Sequence, residues 1–431
     1  MWQAITSGAT HRQTWTAIEE IERSLTERLS SDSSLASNPT LASGTAGLAL
    51  FFAYLDAARP GSDAGDRALE CLGEAMDRLA SAGIGPSLYS GFSGVGWSVE
   101  HLRHGFFDGD DDLTDPVDGA LEQLLGRPGH QPYELVLGIA GYGTYLLERL
   151  PHPTAAGLLE RVIDHLDASA ERSPAGCTWF TPPDWELDRQ REIMPEGCYN
   201  LGVAHGVPGV LGFLAAARQK GVSDGRIEEL AEGTIRWLLA QRIADDDNSV
   251  FPAYFAPDKG PLPARTAWCY GDLGIAAVLL LAARSFGCPA WEEEAVGLAH
   301  VAAARSIETT GATDACLCHG AAGNGHLFVR LYQATGDPVL REAALSWIGH
   351  ALASRQRGEE VAGFPAWYAE ADEGGKWVAD PGFLMGAAGV GLALLAAASD
   401  VEPEWDRVML LSIPPRDPAP NPVVTEEVGT V

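Results

Sequence analysis

Two hydrophobic patterns alternate along the chain. The first is a run almost free of charge, as in LALFFAYL, GWSVEHL, LGFLAAA, IAAVLLLAA and VGLALLAAA. Such runs predict helices that are buried on nearly every side. The second places apolar residues at helical spacing with charges between them. It covers residues 14–28, 66–80, 115–125, 155–168, 223–241, 290–305 and 338–354, and it predicts helices with one inward face.

Each buried run opens on a glycine pair, G-x-x-G. The pairs begin at Gly44, Gly91, Gly138, Gly206, Gly271, Gly320 and Gly386. One such pair would carry no information, but seven in register mark an internal repeat. Glycine lets helix starts approach closely and leaves their first amides without partners. Seven inner and seven outer helices follow, and closing the array would bury the inner faces and gather the glycine turns at one mouth. The expected fold is therefore all-α, an α/α toroid or seven-fold α/α barrel, with one domain over residues 1–408. Insertions at 175–197, 251–263 and 361–381, rich in Trp, Tyr, Phe and Pro, predict short sheets or lids over a peptide groove, or ordinary packing on helix ends. The Pro-rich stretch 409–431 lacks periodicity and predicts a flexible tail.

Composition narrows the partners. With 431 residues, 46% of them hydrophobic, the chain can build a large core, and its formal charge is -30. That charge argues against nucleic acid and anionic membrane, and it is compatible with a cationic peptide. The start of the chain lacks the basic and apolar regions of a secretory signal. The apolar run 275–283 is too short to span a membrane. The seven cysteines follow no small-secreted-domain framework and suit a cytoplasmic location.

The repeats differ in chemistry. Repeat five opens WCYG and repeat six CLCHG, so Cys269 and Cys318 each stand two residues before the first glycine, with His319 one residue further on. A closed array brings the three side chains together. Two thiolates and an imidazole suit zinc and leave a fourth position for water or substrate. The competing reading is two buried cysteines and a capping histidine. In repeat four, CYNLGVAHG puts Asn200 and His205 at the same mouth, with His205 in the register of His319. His205 is then either a proton-transfer group or a helix cap. Arg265, four residues before Cys269, suits a developing negative charge, and Tyr270 adjoins a candidate ligand. An exposed arginine and a packed aromatic are the plainer alternatives.

At these residues the sequence resembles the lanthionine synthetase C family of peptide cyclases. The matching segments are YNLGVAHG at 199–206, RTAWCYG at 265–271, LCHG at 317–320 and FLMGAAGVG at 383–391. The resemblance runs from the first glycine pair to residue 398. It implies a seven-fold α/α barrel holding one zinc ion on Cys269, Cys318 and His319. It also implies His205 as the acid/base residue, with Arg265 and Tyr270 in the site. The implied reaction adds peptide cysteine thiols to dehydroalanine or dehydrobutyrine of a dehydrated precursor peptide, giving lanthionine-type rings, with dehydration left to a separate dehydratase. Where the family often has aspartate four residues before the third repeat's first glycine, this chain has Glu134. Cys316 stands outside the primary ligands as an alternative thiol. A zinc-containing protein that binds thiols or peptides without cyclising them is the other function considered. A glycosidase is a poorer one, because it needs paired carboxylates where repeats five and six present thiols.

Overall fold

The computed structural model describes residues 1–107, 112–127, 131–185, 188–243, 249–356, 360–369 and 374–415. The charge-free runs form the helices Thr45–Ala58, Phe92–Gly105, Ile139–Arg149, Val207–Gln219, Asp272–Phe286, Ala321–Thr335 and Ala387–Ala398. These seven pack in chain order, and the last lies against the first. The amphipathic segments form the helices Gly8–Ser31, Ala64–Leu79, Asp115–Leu125, Pro153–Ser169, Gly225–Leu239, Pro289–Ala304 and Pro338–Ala353. Each of the last six packs on the buried helix that precedes it, whereas Gly8–Ser31 packs on the last buried helix. That pairing draws the start of the chain to its final helix, where Ile5 N donates to Ala397 O at 2.9 Å.

The seven-fold α/α barrel is corrected by the structure. The described residues form an all-helical fold with small antiparallel sheet insertions, and no sheet closes into a barrel. The insertions hold strands β1 (Glu171–Ser173), β2 (Gly176–Thr178), β3 (Tyr199–Asn200), β4 (Tyr254–Ala256), β5 (Gly260–Leu262), β6 (Ala366–Tyr368) and β7 (Lys376–Val378). They make sheets of order β1-β2, β3-β4-β5 and β6-β7. Each strand spans only two or three residues, and no sheet among the described residues has more than three strands.

The buried helices are joined at one end through turn backbone. Ala42 N donates to Tyr89 O, Leu88 N to Val136 O, Val136 N to Ala204 O and Ala204 N to Cys269 O. Cys269 N then donates to Cys318 O, Cys318 N to Leu384 O, and Leu384 N back to Ala42 O. All the acceptors, and six of the seven donors, stand two residues before a glycine pair. The glycines are needed because the turn folds back onto the helix start. A Cβ on Gly271, whose φ is +122°, would lie 1.7 Å from Arg265 O, and one on Gly323 would lie 1.9 Å from Leu317 O. No side chain larger than hydrogen fits at either position.

Beneath these turns runs the segment Glu404–Met409. Its buried Asp406 accepts from Arg330 Nε at 2.6 Å and lies 2.8 Å from His326 Nε2. Trp268 Nε1 donates to Met409 O, and Tyr89 Oη to Val408 O. The segment therefore ties repeats two, five and six together from inside. Met409, Leu410, Leu411 and Ile413 are buried with it. Of the tail expected over 409–431, residues 416–431 lie outside the described residues, as do residues 186–187 and 370–373 of the insertions.

Candidate metal centre

The residue before each glycine pair projects at the stitched end. These residues are Ser43, Ser90, Leu137, His205, Tyr270, His319 and Met385, and none is fully buried. The chemistry is concentrated on three consecutive turns, those of repeats four, five and six.

Cys269, Cys318 and His319 come together. Their Sγ, Sγ and ring-nitrogen atoms all lie within 4.8 Å of one another, both thiols are buried, and Cys269 Sγ is 4.0 Å from His319 Nδ1. The contact with Cys318 holds Cys269 well below the ordinary thiol range against the effect of burial, and the same contact together with burial raises Cys318 well above it. His319 and the charge of Arg265 also favour the Cys269 thiolate. Arg265 itself is exposed at the rim.

This donor set fits zinc. With metal–ligand distances of about 2.0–2.3 Å and tetrahedral angles, bound donors sit roughly 3.3–3.8 Å apart, so a slight contraction of the observed set suffices. A second group, Asp314, Cys316 and His319, has similar proximity. Its carboxylate is committed to backbone, with Oδ1 accepting from Cys316 N at 3.0 Å and Oδ2 from Trp367 N at 2.7 Å. Burial and the Asp314 charge push the Cys316 thiol up. With the Asp314 carboxylate taken by backbone, the second group has fewer open donors than Cys269, Cys318 and His319.

His205 is partly exposed beside this cluster, with Nδ1 3.0 Å from Glu134 Oε2. Glu134 is buried and accepts from Val136 N at 2.8 Å and Leu137 N at 2.6 Å. Its carboxylate is thus held by the turn, and the extra methylene still allows contact with the histidine. Tyr270 is fixed from the side, since its Oη accepts from Asn200 Nδ2 at 3.1 Å and its ring lies 5.1 Å from that of Tyr254. Behind Cys269, the buried Asp272 accepts from Val250 N, Phe251 N and Arg305 Nη2, which anchors the turn.

Sequence reasoning missed Asp314 and the Asp272–Arg305 pair. A signal existed for Asp314. Asn38, Asn200, Asp314 and Asp380 each stand six residues before a first glycine, and each side chain accepts the amide two residues on. These turns shape the mouth in four of the seven repeats. The Asp272–Arg305 pair joins a helix start to the end of another helix, and no local pattern announces it.

Residues 36–410 match the family model of lanthionine synthetase C-like proteins. Glutathione S-transferase LANCL1 of Danio rerio is 25% identical over 227 residues, 49% of this chain and 49% of that protein. Nisin biosynthesis protein NisC of Lactococcus lactis subsp. lactis is 24% identical over 267 residues, 55% of this chain and 60% of that protein. The matches thus span 49% to 60% of the length of these curated relatives. Among solved structures, nisin cyclase superposes with a TM-score of 0.73 at 20% identity, covering 91% of this chain and 96% of that one. At that identity the likeness concerns the fold. Among the described residues, no helix is long and apolar enough to cross a membrane.

Proposed function

The chain belongs to the lanthionine synthetase C-like family, and from that premise we propose that it is a zinc-dependent cyclase adding peptide cysteine thiols to dehydroalanine or dehydrobutyrine. The observation that carries this reading is the Cys269–Cys318–His319 set, with both thiols buried, lying on the turns next to the Glu134–His205 pair. Cys269, Cys318 and His319 would hold the ion, which lowers the proton affinity of a thiol and keeps it nucleophilic at neutral pH. The family match and the nisin-cyclase fold support a peptide substrate.

The chain's own residues have separate tasks. Glu134 fixes the His205 ring through Nδ1, so the opposite ring nitrogen can exchange a proton at the mouth. The reaction forms one S–Cβ bond, and the thiol proton is balanced by a proton delivered to Cα, with no oxidant required. His205 acts at one of those two transfers, as acceptor of the thiol proton or as donor to the carbon. Arg265 sets a positive charge at the rim, where negative charge spreads onto the acceptor carbonyl during addition. Tyr270, held by Asn200, bounds the space between His205 and the thiolate set.

A dehydrated, cysteine-containing peptide incubated with the zinc-loaded protein tests this. Free thiol should fall while the peptide mass stays constant, because ring closure is an isomerisation. Unchanged thiol across a panel of such peptides would count against the reading. The likeness to a protein named as a glutathione S-transferase favours a second reading, in which the incoming thiol is a small free molecule. Glutathione adduction to the same peptides, in place of ring closure, would select it.

A further inference from the structure

At the end of the buried helices opposite the metal turns lies a cavity of about 300 Å³. Its place follows from the elements that line it. Leu147 and Glu148 stand in the last turn of Ile139–Arg149, and Lys220 follows the last residue of Val207–Gln219. Arg407 and Leu410 come from the inner segment that begins at Glu404. Trp97, Leu147, Leu281 and Leu410 make an apolar wall. Leu410 reaches it from a backbone φ of +60°, which residues with a side chain rarely adopt, and strain of that kind collects at ligand sites.

One buried group in this wall is only half used. Glu148 is 3% exposed. Its Oε1 lies 2.9 Å from His101 Nδ1 and accepts from Arg407 Nη1 at 2.7 Å. Its Oε2 makes no hydrogen bond, since the nearest cation, Lys220 Nζ, is 3.9 Å away. Unlike His326 Nδ1, which is sealed in the core, this oxygen is open to water. A helix C-terminus disfavours an anion. Burial opposes ionisation as well, yet His101, Arg407 and Lys220 outweigh it. The cavity therefore presents an ionised acceptor oxygen, with the Lys220 ammonium close by and no tighter partner for it among the described residues.

We propose that this cavity binds a free α-amino acid with an apolar side chain. The α-ammonium donates to Glu148 Oε2, and the α-carboxylate accepts from Lys220 with Arg407 alongside. The side chain lies on Trp97 and the leucines. An α-amino acid carries both charges on one carbon, which suits the 3.9 Å between Glu148 Oε2 and Lys220 Nζ. The charges around the cavity balance, Glu148 and Glu404 against Lys220 and Arg407, so a zwitterion leaves no excess charge there. A simple amine or acid answers only half of this arrangement. The volume is at the small end for ligand pockets and suits one amino acid. The site stands apart from the metal turns and does not depend on the cyclase reading.

Titration calorimetry of the full chain with leucine, isoleucine, methionine and phenylalanine reads the binding directly. At least one of them should bind saturably. Its N-acetyl and amide derivatives should each bind at least about tenfold more weakly, because each loses a hydrogen bond between charged groups. Glycine, without wall contacts, should also bind weakly. Lys220→Gln, a change at an exposed position, should weaken the amino acid by a similar factor and leave the amide unaffected. Glu148→Gln should weaken both. Absence of saturable binding by all of these amino acids would overturn the proposal. So would equal affinity for glycine or for either derivative, or undiminished binding in Lys220→Gln.

Discussion

His205 Nδ1 lies 3.0 Å from Oε2 of Glu134, and the same carboxylate takes the backbone amides of Val136 and Leu137. A side chain from repeat three thus fixes the ring of a histidine from repeat four. If His205 moves a proton, replacing it must slow the reaction without emptying the metal site, because the metal donors come from repeats five and six. His205→Asn should cost about 10²–10⁴-fold in ring formation. Zinc content and helical circular dichroism should stay near normal. A near-normal rate with normal zinc would remove the proton-transfer role.

Glu134 is a positioning residue, so its loss should be milder. Glu134→Gln keeps one acceptor oxygen for the turn but no longer favours a charged ring at His205. Ring formation should slow by less than in His205→Asn, mainly in kcat, while peptide binding holds. Measuring both variants on one peptide checks the order. A larger loss in Glu134→Gln would make the carboxylate the principal group.

The two overlapping donor sets predict opposite effects at two nearby cysteines. Cys269→Ala, Cys318→Ala and His319→Ala should each lower zinc per chain, whereas Cys316→Ala should keep it. The reason lies in Asp314, whose oxygens are taken by Cys316 N and Trp367 N. Metal analysis of purified variants decides. Full zinc in a Cys269, Cys318 and His319 triple replacement would refute the ligand assignment.

Much of this was legible in the residues. The glycine pairs gave the register that aligned Cys269 with Cys318 and His205 with His319, and the charge-free runs gave the buried helices. The barrel expectation went further than the pattern allowed. Helix periodicity reports which face is buried, not which backbone closes the array, and here turn amides such as Cys318 N and Leu384 N make the stitching. The insertions read as non-helical, yet the first holds a short helix, Asp188–Ile193, and the strand pairing depends on partners such as Tyr199 and Phe255, far apart in the chain. The Asp406 contacts with His326 and Arg330 were invisible for the same reason: they join elements that share no local period.

A buried network at the opposite end predicts acid sensitivity. Glu148 Oε1 lies 2.9 Å from His101 Nδ1 and accepts from Arg407 Nη1 at 2.7 Å. Burial alone would raise its pKa, but the His101 bond and the charges of His101, Arg407 and Lys220 outweigh burial and hold it down, from 4.5 to about 2. A depressed carboxylate contributes stability that is present above its unfolded pKa and lost as pH falls towards the folded value. The contribution is on the order of 3 kcal/mol. Denaturant titrations of native protein should weaken between pH 4.5 and about 2, and Glu148→Gln should flatten that part of the profile. An unchanged profile in the variant would exclude Glu148 as its source.

Thiol addition in this reading depends on a metal held by Cys269, Cys318 and His319. The decisive measurement strips the protein with a chelator, returns zinc in steps and follows thiol loss from a dehydrated peptide at each step. Ring formation should stop in the stripped protein and return in proportion to added zinc, saturating at about one ion per chain. Full-rate ring formation by verified metal-free protein would contradict it.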